Sequence, residues 1–370
     1  MKFLEEYRDP ELSKAYLKKI REITTKEWRI MEFCGGQTHS LVKNGIISLL
    51  PPTIQMIHGP GCPVCVTPMS TIDQAIELAH QKDIILCSFG DMLRVPGSSK
   101  SLLDAKTGGG NIRFLYSPMD AIQIAKDNPD KEVVFFAVGF ETTAPANALS
   151  VVHAQLYGLK NYSILTSHVL VPPAMQAILE EENSHVDGLL GAGHVCSVMG
   201  LNAYQALAEN YQIPIVVTGF EPVDLLQGIL MIIQQLENNE TKLENQYSRV
   251  VPPEGNPIAQ QIIDKVFEVC DKEWRGMGTL PNSGWRIKPE MSAFDAVKKF
   301  KLRTTNIINQ ETQCIAGEVL KGVKKPIDCP LFGKQCTPVN PIGAPMVSSE
   351  GACAAYYHFS SIANDPKFSM

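Results

Sequence analysis

The chain has 370 residues, 44% hydrophobic and 19% charged, with a net charge of −6. That is enough apolar material for two or three globular domains, and an acidic balance with no Lys/Arg-rich stripe speaks against nucleic acid as a partner. No apolar run approaches the about 18 residues of a membrane span, and the N-terminus alternates charges where a secretory signal would be apolar, so the expectation is a cytoplasmic protein away from the membrane.

In chain order, Asp9 followed by Pro10 reads as a helix cap with a first-turn proline, and Leu12, Tyr16, Ile20 and Ile23 share one helical face. Eight short apolar runs follow: WRIMEF, TIQMIHG, DIILCSFG, IRFLYS, EVVFFAVGF, YSILTSH, DGLLGAGH and IPIVVTGF. Most are separated by stretches with helical spacing, which predicts parallel sheets covered by helices, the α/β class. VGFETTAP at 138–145 echoes TGFEPVD at 218–224, and two other runs end in His168 and His194, which suggests two similar α/β units. From about residue 275 the texture changes. WRGMGTLPNSGWRIKP and the Cys/Pro/Gly-rich tail read as irregular.

In an open parallel sheet, ligands gather at the C-terminal ends of the strands. The residues there are Cys34 to His39, Gly59 to Cys65, Gly90 and Asp91, Glu141 to Thr143, His168, His194 and Glu221. Ten cysteines in a reducing compartment are better read as metal ligands or redox thiols than as structural disulfides. Cys314, Cys329, Cys336 and Cys353, with gaps of 14, 6 and 16 residues, suit an iron–sulfur cluster or a Cys₄ zinc site; the wide, unpaired gaps favour [4Fe–4S]. Cys62 and Cys65 form the chain's single C-x-x-C, after a Gly-Pro-Gly turn where a helix would begin. They are either a reactive dithiol or half of a zinc site completed by Cys34 and His39. Val66 in place of His rules out c-type haem attachment. Cys34 sits between a strand and Gly35-Gly36, open to a ligand, with the His39 imidazole nearby. Cys87 and Cys270 read as core, Cys270 continuing the helical stripe Ile262, Val266, and Cys196 reads as structural. GAGHVC lacks the third glycine of a dinucleotide fingerprint, which disfavours a Rossmann dehydrogenase.

FCGGQTHS, HGPGCPVCVTP, SFGDMLRVPGS, VGFETTAP, LGAGHVCSVMG, TGFEP and FGKQCTPVNPIGAPMVSSEGACAAYY, in this order over about residues 28–358, resemble the HypD family of [NiFe] hydrogenase maturation factors. The resemblance implies two α/β domains, 24–130 and 131–272, facing each other over a cleft, plus a smaller iron–sulfur domain, 273–370, packed with the N-terminal helix 1–23. It implies HypC and HypE as partners in building the Fe(CN)₂CO unit, with a [4Fe–4S] cluster as cofactor and a transient iron carrying CN and CO ligands. Matched motif by motif, Cys34 would bind that iron together with a cysteine of HypC, with His39 in support. Cys62 and Cys65 would be the redox dithiol, and Cys314, Cys329, Cys336 and Cys353 the cluster ligands. Glu141, Thr142, His194 and Glu221 are candidate cleft residues. Turning a donor thiocyanate's cyano group into iron-bound cyanide takes two electrons, which a dithiol supplies. Such a chain would be an assembly scaffold with a redox role. A zinc-binding interaction protein and a thiol–disulfide oxidoreductase are the alternatives.

Overall fold

The computed structural model describes residues 5–182, 184–303 and 313–363. All eight apolar runs are strands: β1 Trp28–Glu32, β2 Ile54–His58, β3 Ile84–Phe89, β4 Ile112–Leu115, β5 Glu132–Gly139, β6 Tyr162–Val169, β7 Gly188–Ala192 and β8 Ile215–Thr218. Three further strands follow, β9 Leu243–Asn245, β10 Phe267–Trp274 and β11 Gly278–Ile287. Among the described residues they form two sheets, one ordered β2-β1-β7-β8-β9 and the other β10-β11-β6-β5-β3-β4. Every pair in the first is parallel. The second is parallel from β6 to β4 and antiparallel at β10, β11 and β6. Helices cover the parallel strands, which explains why β5 and β8 are buried almost throughout and read as unbroken apolar runs.

Sheet membership does not follow the expected division. The five-stranded sheet takes residues 28–58 and 188–245, and the six-stranded sheet takes 84–169 and 267–287. A cut at 130/131 falls between β4 and β5 of one sheet, and a cut at 272/273 falls inside β10. The chain crosses between sheets three times, after β2, β6 and β9.

The helix Pro10–Ile23 starts as expected, with Asp9 Oδ1 accepting the N–H groups of Glu11 at 2.8 Å and Leu12 at 3.1 Å. Its buried residues are Leu17 and Ile20, and Leu12 is exposed. It lies on the helix Pro222–Glu237, sharing a core with Leu225, Leu226 and Ile229 under the five-stranded sheet, and is not seated chiefly on the tail as expected.

Two further expectations are corrected. The helix Pro257–Val266 stops at Val266, so Cys270 lies on β10, half-buried, and does not extend a helical core stripe. WRGMGTLPNSGWRIKP is largely not irregular: it carries the turn and second strand of an antiparallel hairpin, with Gly276 and Gly278 both at φ +82°. The tail is loop-rich as expected and, among the described residues, its last element is the helix Ala352–Ala363, which packs on the helix Gly35–Lys43. No helix among the described residues is long and apolar enough to cross a membrane.

Candidate metal and thiol site

Cys34 follows β1 and is the N-cap of the helix Gly35–Lys43, in extended backbone at φ −146°. Its sulfur faces the first helical turn, where the N–H groups of Gly36 and Gln37 donate to it. The loop after β2 runs against it: Gly35 N–H donates to the Gly61 carbonyl at 2.9 Å, and a Cβ on Gly61 would stand 2.3 Å from the Cys34 nitrogen. Only glycine permits that approach. From β7 comes His194, with both ring nitrogens 3.8 Å from Cys34 Sγ, and from β8 comes Phe220, edge-on to His194 at 5.1 Å. Four parallel strand ends thus converge on one sulfur, as the open-sheet rule requires.

Burial pushes the Cys34 thiol well above its ordinary pKa, with the Glu350 and Glu32 charges acting the same way and the Gly36 and Gln37 N–H groups opposing. Burial pushes His194 down to about 4, so its imidazole is neutral at pH 7. An arriving cation would displace the thiol proton, and a neutral imidazole has one N–H to donate beside it.

Cys62 and Cys65 are joined in a disulfide, both buried. Cys62 caps the one-turn helix Pro63–Val66, its sulfur accepting the Cys65 N–H at 3.3 Å, so the expected helix start is present. That helix packs on the turn Ala344–Met346, and Val64 joins a core with Ala344 and Val347. Met346 in turn lines a small cavity with Cys314, Cys329, Cys336 and Cys353, walled by Ile315, Val319 and Phe332. Among the described residues no three His, Cys, Asp or Glu side chains could hold a single metal ion. Four thiols around an apolar cavity, with the Ile342 N–H 3.4 Å from Cys336 Sγ, match the donor set and N–H···S bonding of a polynuclear iron–sulfur centre. Burial, with the neighbouring cysteines acting the same way, raises the Cys353 and Cys314 thiols, so both hold their protons at neutral pH.

Residues 11–360 match the family model "HypD: Hydrogenase formation hypA family". The chain belongs to the HypD family. It is 46% identical over 369 residues to the hydrogenase maturation factor HypD of Azotobacter vinelandii, covering 97% of each chain. It is 45% identical over 367 residues to HypD of Escherichia coli (strain K12), covering 97% of this chain and 98% of that one. Hydrogenase maturation is therefore the process in which this HypD-family chain acts.

The structure distributes the other candidates unevenly. His39 is turned from Cys34 towards the tail, its Nδ1 3.0 Å from the Ser349 carbonyl and its ring edge-on to Phe359. His194 takes the place beside the sulfur that sequence proximity suggested for His39. Glu221 caps the helix Pro222–Glu237 and is paired with Arg8, whose Nη2 donates at 2.8 Å. Glu141 and Thr142 lie in the loop after β5 of the other sheet; Glu141 is buried and Thr142 half-buried. Sequence reasoning missed Glu32 and His58, two buried polar side chains behind Cys34. The signal was there: each is the last residue of its strand, directly after two apolar residues.

Proposed function

We propose that this HypD-family chain, working in the cytoplasm with HypC and HypE, holds an iron atom on Cys34 while cyanide and carbon monoxide are added, and delivers the electrons that cyanation consumes. One observation carries the reading. The Cys62–Cys65 unit stands between the two candidate centres, its loop against Cys34 through the Gly35–Gly61 hydrogen bond and its helix against the turn that lines the four-cysteine cavity.

The chemistry balances. A protein-bound thiocyanate and the Cys62/Cys65 dithiol give a protein thiol, iron-bound cyanide, the Cys62–Cys65 disulfide and one proton; the S–CN bond breaks and the S–S bond forms. Cys34 contributes a soft thiolate as the iron's anchor, and His194 a neutral N–H directed at the same space. Phe220, edge-on to His194, would help shield the same space from water. A [4Fe–4S] cluster held by Cys314, Cys329, Cys336 and Cys353 would supply single electrons to return the disulfide to the dithiol.

The test is anaerobic co-purification with HypC followed by infrared spectroscopy. The wild type is expected to show CN and CO stretches that vanish in Cys34→Ala while the brown cluster absorption stays. Bands that survive in Cys34→Ala and disappear only when Cys62 or Cys65 is changed would move the iron to the other sulfurs. A colourless protein carrying stoichiometric zinc would overturn the whole reading.

A further inference from the structure

Glu32 is fully buried at the end of β1, and its partners form a chain. Its Oε2 accepts the Cys34 N–H at 2.9 Å; its Oε1 accepts the Thr38 hydroxyl and lies 2.7 Å from His58 Nδ1. His58 Nε2 lies 3.0 Å from the Tyr356 hydroxyl. If His58 donates from Nδ1 to the carboxylate, its Nε2 is free to accept from the tyrosine, so one tautomer satisfies both contacts. Tyr356 lies three residues after Cys353, on the helix Ala352–Ala363.

We propose that Glu32 is the positioning residue for Cys34, and that the Tyr356–His58–Glu32 chain locks the Cys34 backbone to the helix carrying Cys353. The inference rests on Cys34 being the iron-binding thiol. A bond from a side chain to the amide two residues on fixes the peptide where the strand gives way to the helix, and so fixes where the sulfur points. Without it the Cys34 amide would be a buried donor with no partner, which is costly. Serving any buried carboxylate would not require a partner on the tail. This one is held by a histidine whose far nitrogen meets the cysteine-bearing helix, so the lock joins both candidate centres.

The experiment uses the full chain with HypC, reading CN and CO band positions and, separately, hydrogen exchange at the Cys34 amide. His58→Leu should shift the bands and speed Cys34 exchange about tenfold, because one buried hydrogen bond holding Glu32 is lost. His58→Gln can donate to Glu32 and accept from Tyr356, and should restore both. Tyr356→Phe removes one hydroxyl, leaves the core filled, and should give a smaller change of the same sign, which keeps the test alive if His58→Leu does not fold. Unchanged bands and exchange in folded His58→Leu, or in Tyr356→Phe where His58→Leu is unfolded, overturn the lock. If the bands prove independent of Cys34, the iron assignment falls, and the exchange measurement alone decides the lock.

Discussion

Glu141 accepts the Val171 N–H on one oxygen at 2.8 Å, while its other oxygen has no hydrogen-bond partner among the described residues. Burial raises its pKa to about 7. The Cys196 and Tyr204 groups lie close enough to feel its charge. A raised carboxyl pKa means the folded state holds the proton more tightly than the unfolded one, so folding stability falls as pH rises from the ordinary value of 4.5 towards 7. Across that window the loss runs at about 1.4 kcal/mol per pH unit. Glu141→Gln cannot ionise, so its stability relative to wild type should climb between pH 4.5 and 7 and level off above, as read by urea denaturation at several pH values; a flat difference would show that Glu141 ionises freely. Cys34 stood out in the sequence because a thiol between a strand and two glycines lies in polar surroundings, yet the structure buries it in a core with Met31, Phe33 and Ile57. Its imidazole neighbour did not stand out. His39 is five residues along a helix from Cys34, which turns it roughly 140° away at 100° per residue, whereas His194 arrives from a strand 160 positions distant.

The eight strands β1–β8 were readable because each is buried on one or both faces and leaves an apolar run in the sequence. The hairpin β10–β11 was not, because between the buried Phe267 and Trp274 β10 alternates half-buried and exposed positions. Ile262, Val266 and Cys270 are spaced by four, a step that fits one helical face and equally one strand face, so the spacing alone could not mark where the helix ends. Glycines were ambiguous in the same way: Gly276 and Gly278 serve a hairpin turn, whereas Gly61 serves a close approach between elements. That difference is testable. A methyl group at Gly61 would meet the backbone of Cys34, which cannot move aside as a side-chain tip can. Gly61→Ala should therefore cost about 1–3 kcal/mol of stability by overpacking and displace Cys34, reducing iron-dependent CN and CO bands while the cluster absorption persists. At Gly90, after β3, nothing stands within 4 Å of an added Cβ. Gly90→Ala should be close to neutral in thermal denaturation, and equal losses in the two variants would remove the steric argument.

Interleaving of the two sheets lies beyond any local pattern, because hydrophobic periodicity tells which segments are strands and not which strands are neighbours. Its consequence is chemical. The loop bearing Cys62 leaves the five-stranded sheet just before the chain crosses to β3, so the Cys62–Cys65 disulfide sits at the crossing, with Cys34 on one side and the tail turn Ala344–Met346 on the other. Met346 both touches the local tail core and lines the four-cysteine cavity, which makes this turn a packed route from that cavity to the disulfide helix. A redox titration of the whole chain should accordingly show one two-electron thiol couple, absent in Cys62→Ala and Cys65→Ala and retained in Cys34→Ala, since Cys34 stays outside the disulfide. Cys336→Ala should bleach the visible absorption and leave the midpoint of that couple nearly unchanged, because potential belongs to the dithiol and its surroundings. What it should abolish is rapid reduction of the disulfide by a one-electron donor, measured by trapping free thiols after mixing. If Cys336→Ala is reduced as fast as wild type, the electrons do not travel through the tail, and the disulfide takes them directly from outside.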